Sequence, residues 1–98
     1  MKQITLNQIQ LFKDFVTKQN AINESKTSNC RIEPVATYRN DGGDLFYSYV
    51  SHNNTLDGPV ITNMFIEFSN NGKMIILNDM FSYDELVYMF KDLQKITI

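Results

Sequence analysis

Apolar residues recur every three or four positions through the first part of the chain. Leu6, Ile9, Phe12 and Val16 share one face, Leu11 and Phe15 widen it, and Gln8, Lys13, Asp14 and Lys18 fall on the other side. That period belongs to an amphipathic helix. Thr5 and Gln8 stand at capping-box spacing with Ile4 and Ile9 at staple positions, so the pattern predicts a helix from near Leu6 to Gln19 or Asn20. Residues 20–29 carry no period and are expected to form a loop.

From Arg31 the pattern shifts toward the alternation of strands. Pro34 cannot donate a ladder hydrogen bond, so the run 31–39 is expected either at a sheet edge or only after the proline. Asp41-Gly42-Gly43-Asp44 predicts a hairpin into 45–51. With Gly42 and Gly43 as its central pair, Tyr38 faces Tyr47, Ala36 faces Tyr49 and Arg39 faces Phe46. Residues 52–59 are rich in turn formers and predict a longer connection. The apolar run 60–69 is expected as a central strand. Asn71-Gly72 suits a two-residue type I′ turn into the short strand 74–77, which sets Phe68 opposite Ile75 and Ile66 opposite Leu77.

Ser82 and Glu85 form a second capping box, with Phe81 and Leu86 as its staple, and open a helix over 83–95. Leu86, Phe90 and Leu93, with Met89 or Val87, are its expected inner face, and Asp84, Glu85, Lys91 and Asp92 its outer one. Lys95 in the last turn suits the helix dipole. The expected fold is therefore α+β, a single domain over residues 1–98. Its order is α-β-β-β-β-α: a four-stranded antiparallel meander with the N- and C-terminal helices packed on one face. This layout resembles that of double-stranded-RNA-binding domains. The chain departs from them at Tyr83-Asp84-Glu85, where a phosphate-gripping surface requires Lys or Arg.

Composition narrows the function classes. The formal charge is −2 with acids and bases interspersed, which gives no long-range attraction to nucleic acid. The only cysteine is Cys30, so no disulfide framework is available, and a reducing cytoplasm is the expected setting. Neither a signal-peptide pattern nor a run of about 20 apolar residues is present, so no membrane association is expected. The Asn-, Ile- and Lys-rich, Trp-free composition fits a low-GC bacterium or its phage.

Little in the chain offers catalytic chemistry. His52 and Cys30 are the one histidine and one cysteine, far apart in sequence. As a pair they would give a small enzyme or ligand-binding protein, but a solvent-facing histidine and a small buried thiol explain them more simply. The carboxylates of Asp41 and Asp44 are too few for a calcium loop and suit turn chemistry instead. No phosphate-binding glycine motif occurs, and no cofactor or metal is expected. Tyr38, Tyr47 and Tyr49, with Arg31 and Arg39 near them, define the alternative of a single-stranded nucleic-acid-binding domain.

The main irregularity is apolar character on both faces of the expected sheet, with helices for only one. Phe46, Val50, Ile61, Phe65, Glu67, Met74 and Ile76 are the residues expected on the uncovered face, and they are the candidate protein-interaction residues. The expected function is a non-enzymatic protein-binding module, with a protein partner or a second copy as a homodimer. A small phage or mobile-element inhibitor or regulator of a larger host protein or defence complex fits this description. It would bind through the open sheet face or through an acidic surface of Asp41, Asp44, Asp57, Glu67, Asp79, Asp84 and Glu85.

Overall fold

The computed structural model describes residues 2–26 and 29–96, with side chains from Gln8 onward. Helix α1 (Lys2–Ser25) leads into strands β1 (Cys30–Arg39), β2 (Leu45–Thr55), β3 (Gly58–Phe68) and β4 (Met74–Ile76). A 3₁₀ turn (Leu77–Asp79), helix α2 (Tyr83–Phe90) and strand β5 (Gln94–Ile96) complete the order. The strands form one antiparallel sheet in the order β4-β3-β2-β1-β5. The α+β class and the four-strand meander match the expectation, and β5 adds a short fifth strand beside β1.

The helices lie on opposite faces of the sheet, not on one. Phe12 of α1 packs with Ile32, Leu45, Tyr47, Tyr49, Ile66 and Phe68. Leu86 and Phe90 of α2 pack with Phe65 and Leu77, and with the half-buried Tyr38, Phe46 and Ile75. Adjacent strand residues point to opposite faces, so Phe46 and Tyr47, like Phe65 and Ile66, belong to different layers. The second apolar face is thus real, and α2 covers its centre.

Both hairpin registers differ by one residue from the two-residue turns predicted. In the first, the N–H of Asn40 donates to the Asp44 carbonyl (3.1 Å) and that of Gly43 to the Asn40 carbonyl (3.1 Å). In the second, the N–H of Ser69 donates to Lys73 (2.9 Å) and that of Gly72 to Ser69 (2.9 Å). Each loop therefore has three residues, with Gly43 (φ 86°) and Gly72 (φ 82°) in the left-handed position. The Asn40 carboxamide oxygen and the Ser69 hydroxyl accept the N–H of Asp44 and Lys73, respectively. Tyr38 consequently faces Phe46, Ala36 faces Ser48 and Arg39 faces Leu45, while Phe68 faces Met74 and Ile66 faces Ile76.

The second connection is shorter than expected. β2 and β3 continue through residues 52–55 and 58–61, joined only by Leu56 and Asp57. At the other margin, β1 begins at Cys30, before Pro34, and a bulge between Pro34 and Ala36 breaks its register with β2. Pro34 does stand at an edge, because β5 flanks only Thr37–Arg39.

Helix lengths depart from the periodic reading in both directions. Thr5 is interior to α1 and not its N-cap, because the helix begins at Lys2. Its C-terminal end runs on to Ser25, held by the half-buried Ile22 and by the Asn20 side chain, whose amide binds the backbone of Ile32. The loop expected over 20–29 therefore shrinks, and Thr27 and Ser28 lie outside the described residues. The capping box of α2 is formed: Glu85 N–H donates to the Ser82 hydroxyl (3.2 Å) and Ser82 N–H to the Glu85 carboxylate (2.9 Å). That helix ends at Phe90, and Lys95, expected in its last turn, pairs with Tyr38 in the sheet. Among the described residues no helix is long and apolar enough to cross a membrane.

Candidate protein-interaction surface

The register decides the fate of the seven candidate interaction residues. Met74 and Ile76 turn to the α1 face and pack on its core. Phe65 is buried beneath α2, its ring 4.6 Å from that of Phe90, and Phe46 is half-buried with its ring 5.8 Å from the same phenylalanine. Val50 and Glu67 remain on the α2 side, each half-buried. Only Ile61 is widely open, at 62% exposure. The uncovered apolar face expected from the sequence is thus reduced to a margin around Val50 and Ile61, because α2 occupies its middle.

The exposed apolar surface instead continues onto α2 itself. Six of its eight residues are apolar or aromatic, and only Leu86 and Phe90 are buried. Met80, Tyr83, Val87, Tyr88 and Met89 all remain exposed, Tyr88 most of all at 66%. A helix has one inward stripe, and six apolar residues in two turns cannot all occupy it. That excess was legible in the sequence, although the expected inner face took in Val87 or Met89.

Two local features shape this surface. The Asn63 amide donates to the Tyr83 hydroxyl at 3.5 Å, joining the β3 margin to α2. On the far side of the helix, Phe81, Asp84, Glu85, Tyr88 and Met89 line an open cleft of about 360 Å³. Its apolar floor has carboxylates at the rim. Lys91 Nζ lies 4.6 Å from the centre of the Tyr88 ring, a cation–π contact that orients the ring without covering it. The backbone N–H of Ser82, and then its hydroxyl contact, hold the Glu85 carboxyl below the usual range. Burial, and secondarily the charge of Asp44, pushes that of Glu67 up.

The sheet places the remaining candidates apart. Cys30 and His52 fall on opposite faces, since Cys30 pairs with Asn53 and His52 with Arg31. They cannot share a reacting atom. His52 Nε2 lies 3.2 Å from a Glu33 carboxylate oxygen on the outer surface. Cys30 Sγ is 3.6 Å from Ser51 Oγ at the mouth of a groove of about 270 Å³ beneath the end of α1, floored by Phe15, Tyr49, Met64 and Met74.

The tyrosines do not form a common platform. Tyr47 and Tyr49 are buried under α1, against Phe12 and Phe15, and burial pushes both phenols up; the Cys30 thiol adds to the shift at Tyr49. Tyr38 lies on the other face, edge-on to Phe90. Asp41 lies in the three-residue loop and Asp44 closes it, the Asp44 carboxylate accepting from the Asn40 amide at 3.2 Å. Among the described residues no group of three or more His, Cys, Asp or Glu converges on one point.

Compared with protein-family models, curated proteins and solved structures, the chain matches none.

Proposed function

We propose that this protein is a non-enzymatic protein-binding module that contacts its partner through the outer side of α2. The observation that carries this reading is the exposure of Tyr83, Val87, Tyr88 and Met89 on one short helix whose inward stripe is already filled by Leu86 and Phe90. Aromatic and methionine side chains are enriched at the cores of protein interfaces, and exposed apolar patches on single chains mark such sites. Asp79, Asp84 and Glu85 border the patch, so the complementary surface carries an apolar anchor beside Lys or Arg. The acidic rim favours an inhibitor or regulator that occupies a basic site on a larger protein. With the low-GC composition, it favours a phage or mobile-element product directed at a host protein or defence complex.

Parallel affinity captures from an extract of the source organism test the reading. One bait is the native chain and the other carries Tyr88→Ser and Met89→Ser, both on exposed positions. A protein retained by the first bait and lost from the second, with unchanged circular dichroism, supports the α2 surface. Identical retained proteins on both baits overturn it.

A further inference from the structure

Phe81, Asp84, Glu85, Tyr88 and Met89 line the open cleft of about 360 Å³ beside α2. Asp84 and Tyr88 stand four residues apart on that helix, so their side chains are neighbours on one stripe. Phe81 enters from the segment before the Ser82 N-cap and, half-buried against the α2 core, supplies apolar surface. The cleft thus sets a carboxylate one helical turn from an exposed aromatic ring.

The two carboxylates are not equivalent. Glu85 already accepts the Ser82 N–H and closes the capping box. Asp84 is exposed, and among the described residues its carboxylate has no ion pair or hydrogen bond. The Tyr88 ring, for its part, already draws a cation: Lys91 Nζ lies 4.6 Å from its centre. An acceptor without a donor, beside a ring that attracts an ammonium, calls for a cationic occupant. The apolar surface narrows the choice further. A guanidinium is planar and weakly hydrated, and it can lie against a ring while forking two N–H groups onto a carboxylate. An ammonium is a strongly hydrated point charge and gains less from such walls.

We propose that this cleft takes an arginine side chain of the partner protein, stacked on Tyr88 and paired with Asp84. The proposal rests on the reading of the outer side of α2 as the binding surface. Lys91 is then a placeholder: it occupies the ring in the free chain and yields it on binding. Its removal therefore favours the guest, by freeing the ring and removing a like charge.

A nuclear magnetic resonance titration of the native chain with acetylated, amidated leucyl-arginyl-leucine, read at the Tyr88 ring and the Met89 methyl, tests the proposal. Saturable shifts at millimolar peptide are expected, weaker ones from the lysine peptide, and none from the citrulline peptide, which keeps the shape without the charge. Asp84→Asn is expected to weaken the arginine peptide about threefold to fivefold, and Lys91→Ala to strengthen it about twofold to fivefold. No saturable shift from the arginine peptide, equal shifts from the citrulline peptide, or unchanged affinity in Asp84→Asn overturns the proposal. An Asp84→Asn bait added to the affinity captures separates it from the reading beneath it. A protein held by the native and Asp84→Asn baits but lost from the Tyr88→Ser, Met89→Ser bait keeps the α2 surface and removes the arginine; identical retention on all three removes both.

Discussion

The side-chain amide of Asn20 binds both backbone groups of Ile32, donating to its carbonyl and accepting its N–H, each at 2.9 Å. An asparagine on α1 thereby occupies the slot of a missing strand at the outer edge of β1. Asn78 performs the same service on the opposite edge of the sheet. Replacing Asn20 with Ala leaves the Ile32 groups without this partner and is expected to lower stability by about 1–3 kcal/mol. Urea unfolding checks the value, and a neutral substitution contradicts the edge-capping role.

The three-residue loops distinguish glycines that sit side by side. Gly43 has a φ of 86°, whereas a Cβ on Gly42 would meet only ordinary contacts at 3.5 Å and beyond. Gly43→Ala is expected to cost about 1–2 kcal/mol, the penalty of a left-handed L-residue, and Gly42→Ala much less. A type I′ turn would penalise both, so equal losses in chemical denaturation would restore the two-residue loop.

Opposite-face packing has a thermodynamic signature. Phe12 lies beneath α1 and Phe90 beneath α2, in separate clusters on the two sides of the sheet. Phe12→Leu and Phe90→Leu are each expected to destabilise by about 0.5–3 kcal/mol. Their effects should add within about 0.5 kcal/mol in a double-mutant cycle, as for sites without shared partners. A coupling well above that would place the two helices in one core.

Glu67 supplies a pH test. Its folded-state carboxyl titrates above its ordinary value, from burial first and the Asp44 charge second. Its stabilising contribution is therefore full below the ordinary carboxylate range and is lost as the pH rises through the raised folded value. Glu67→Gln is expected to be at least as stable as the native chain at pH 7, with the gap closing toward pH 4. Urea midpoints at the two pH values measure it; a gap that widens on acidification contradicts the assignment.

Of the two capping boxes expected, Ser82 with Glu85 carried through to the fold, and Thr5 with Gln8 fell inside α1. Ser82, Glu85 and Leu86 mark the start of α2 correctly because a capping box is a contact among near neighbours. The sheet order followed from turn residues at the expected places. Turn length was not legible to the single residue, since Asp-Gly-Gly-Asp and Asn-Asn-Gly serve two- and three-residue loops alike. One residue of slip exchanges faces, and it moved Met74 and Ile76 from the candidate surface into the α1 core. The end of α2 escaped notice because Gln94, Lys95 and Ile96 suit a helix by spacing but pair with β1 through tertiary contact. Of the seven candidate residues only Ile61 is widely exposed, with Val50 half-buried on the same face; the exposed side of α2 was hidden by the assumption that its apolar residues all faced inward.

The proposed binding surface is the outer side of α2. A photo-crosslinking amino acid placed at Tyr88, with Thr17 on the exposed side of α1 as the control position, tests it directly in an extract of the source organism. A discrete adduct with a different protein is expected from position 88, suppressed by excess native chain and absent from position 17. No adduct from position 88, or the same adducts from both positions, would contradict the proposed surface.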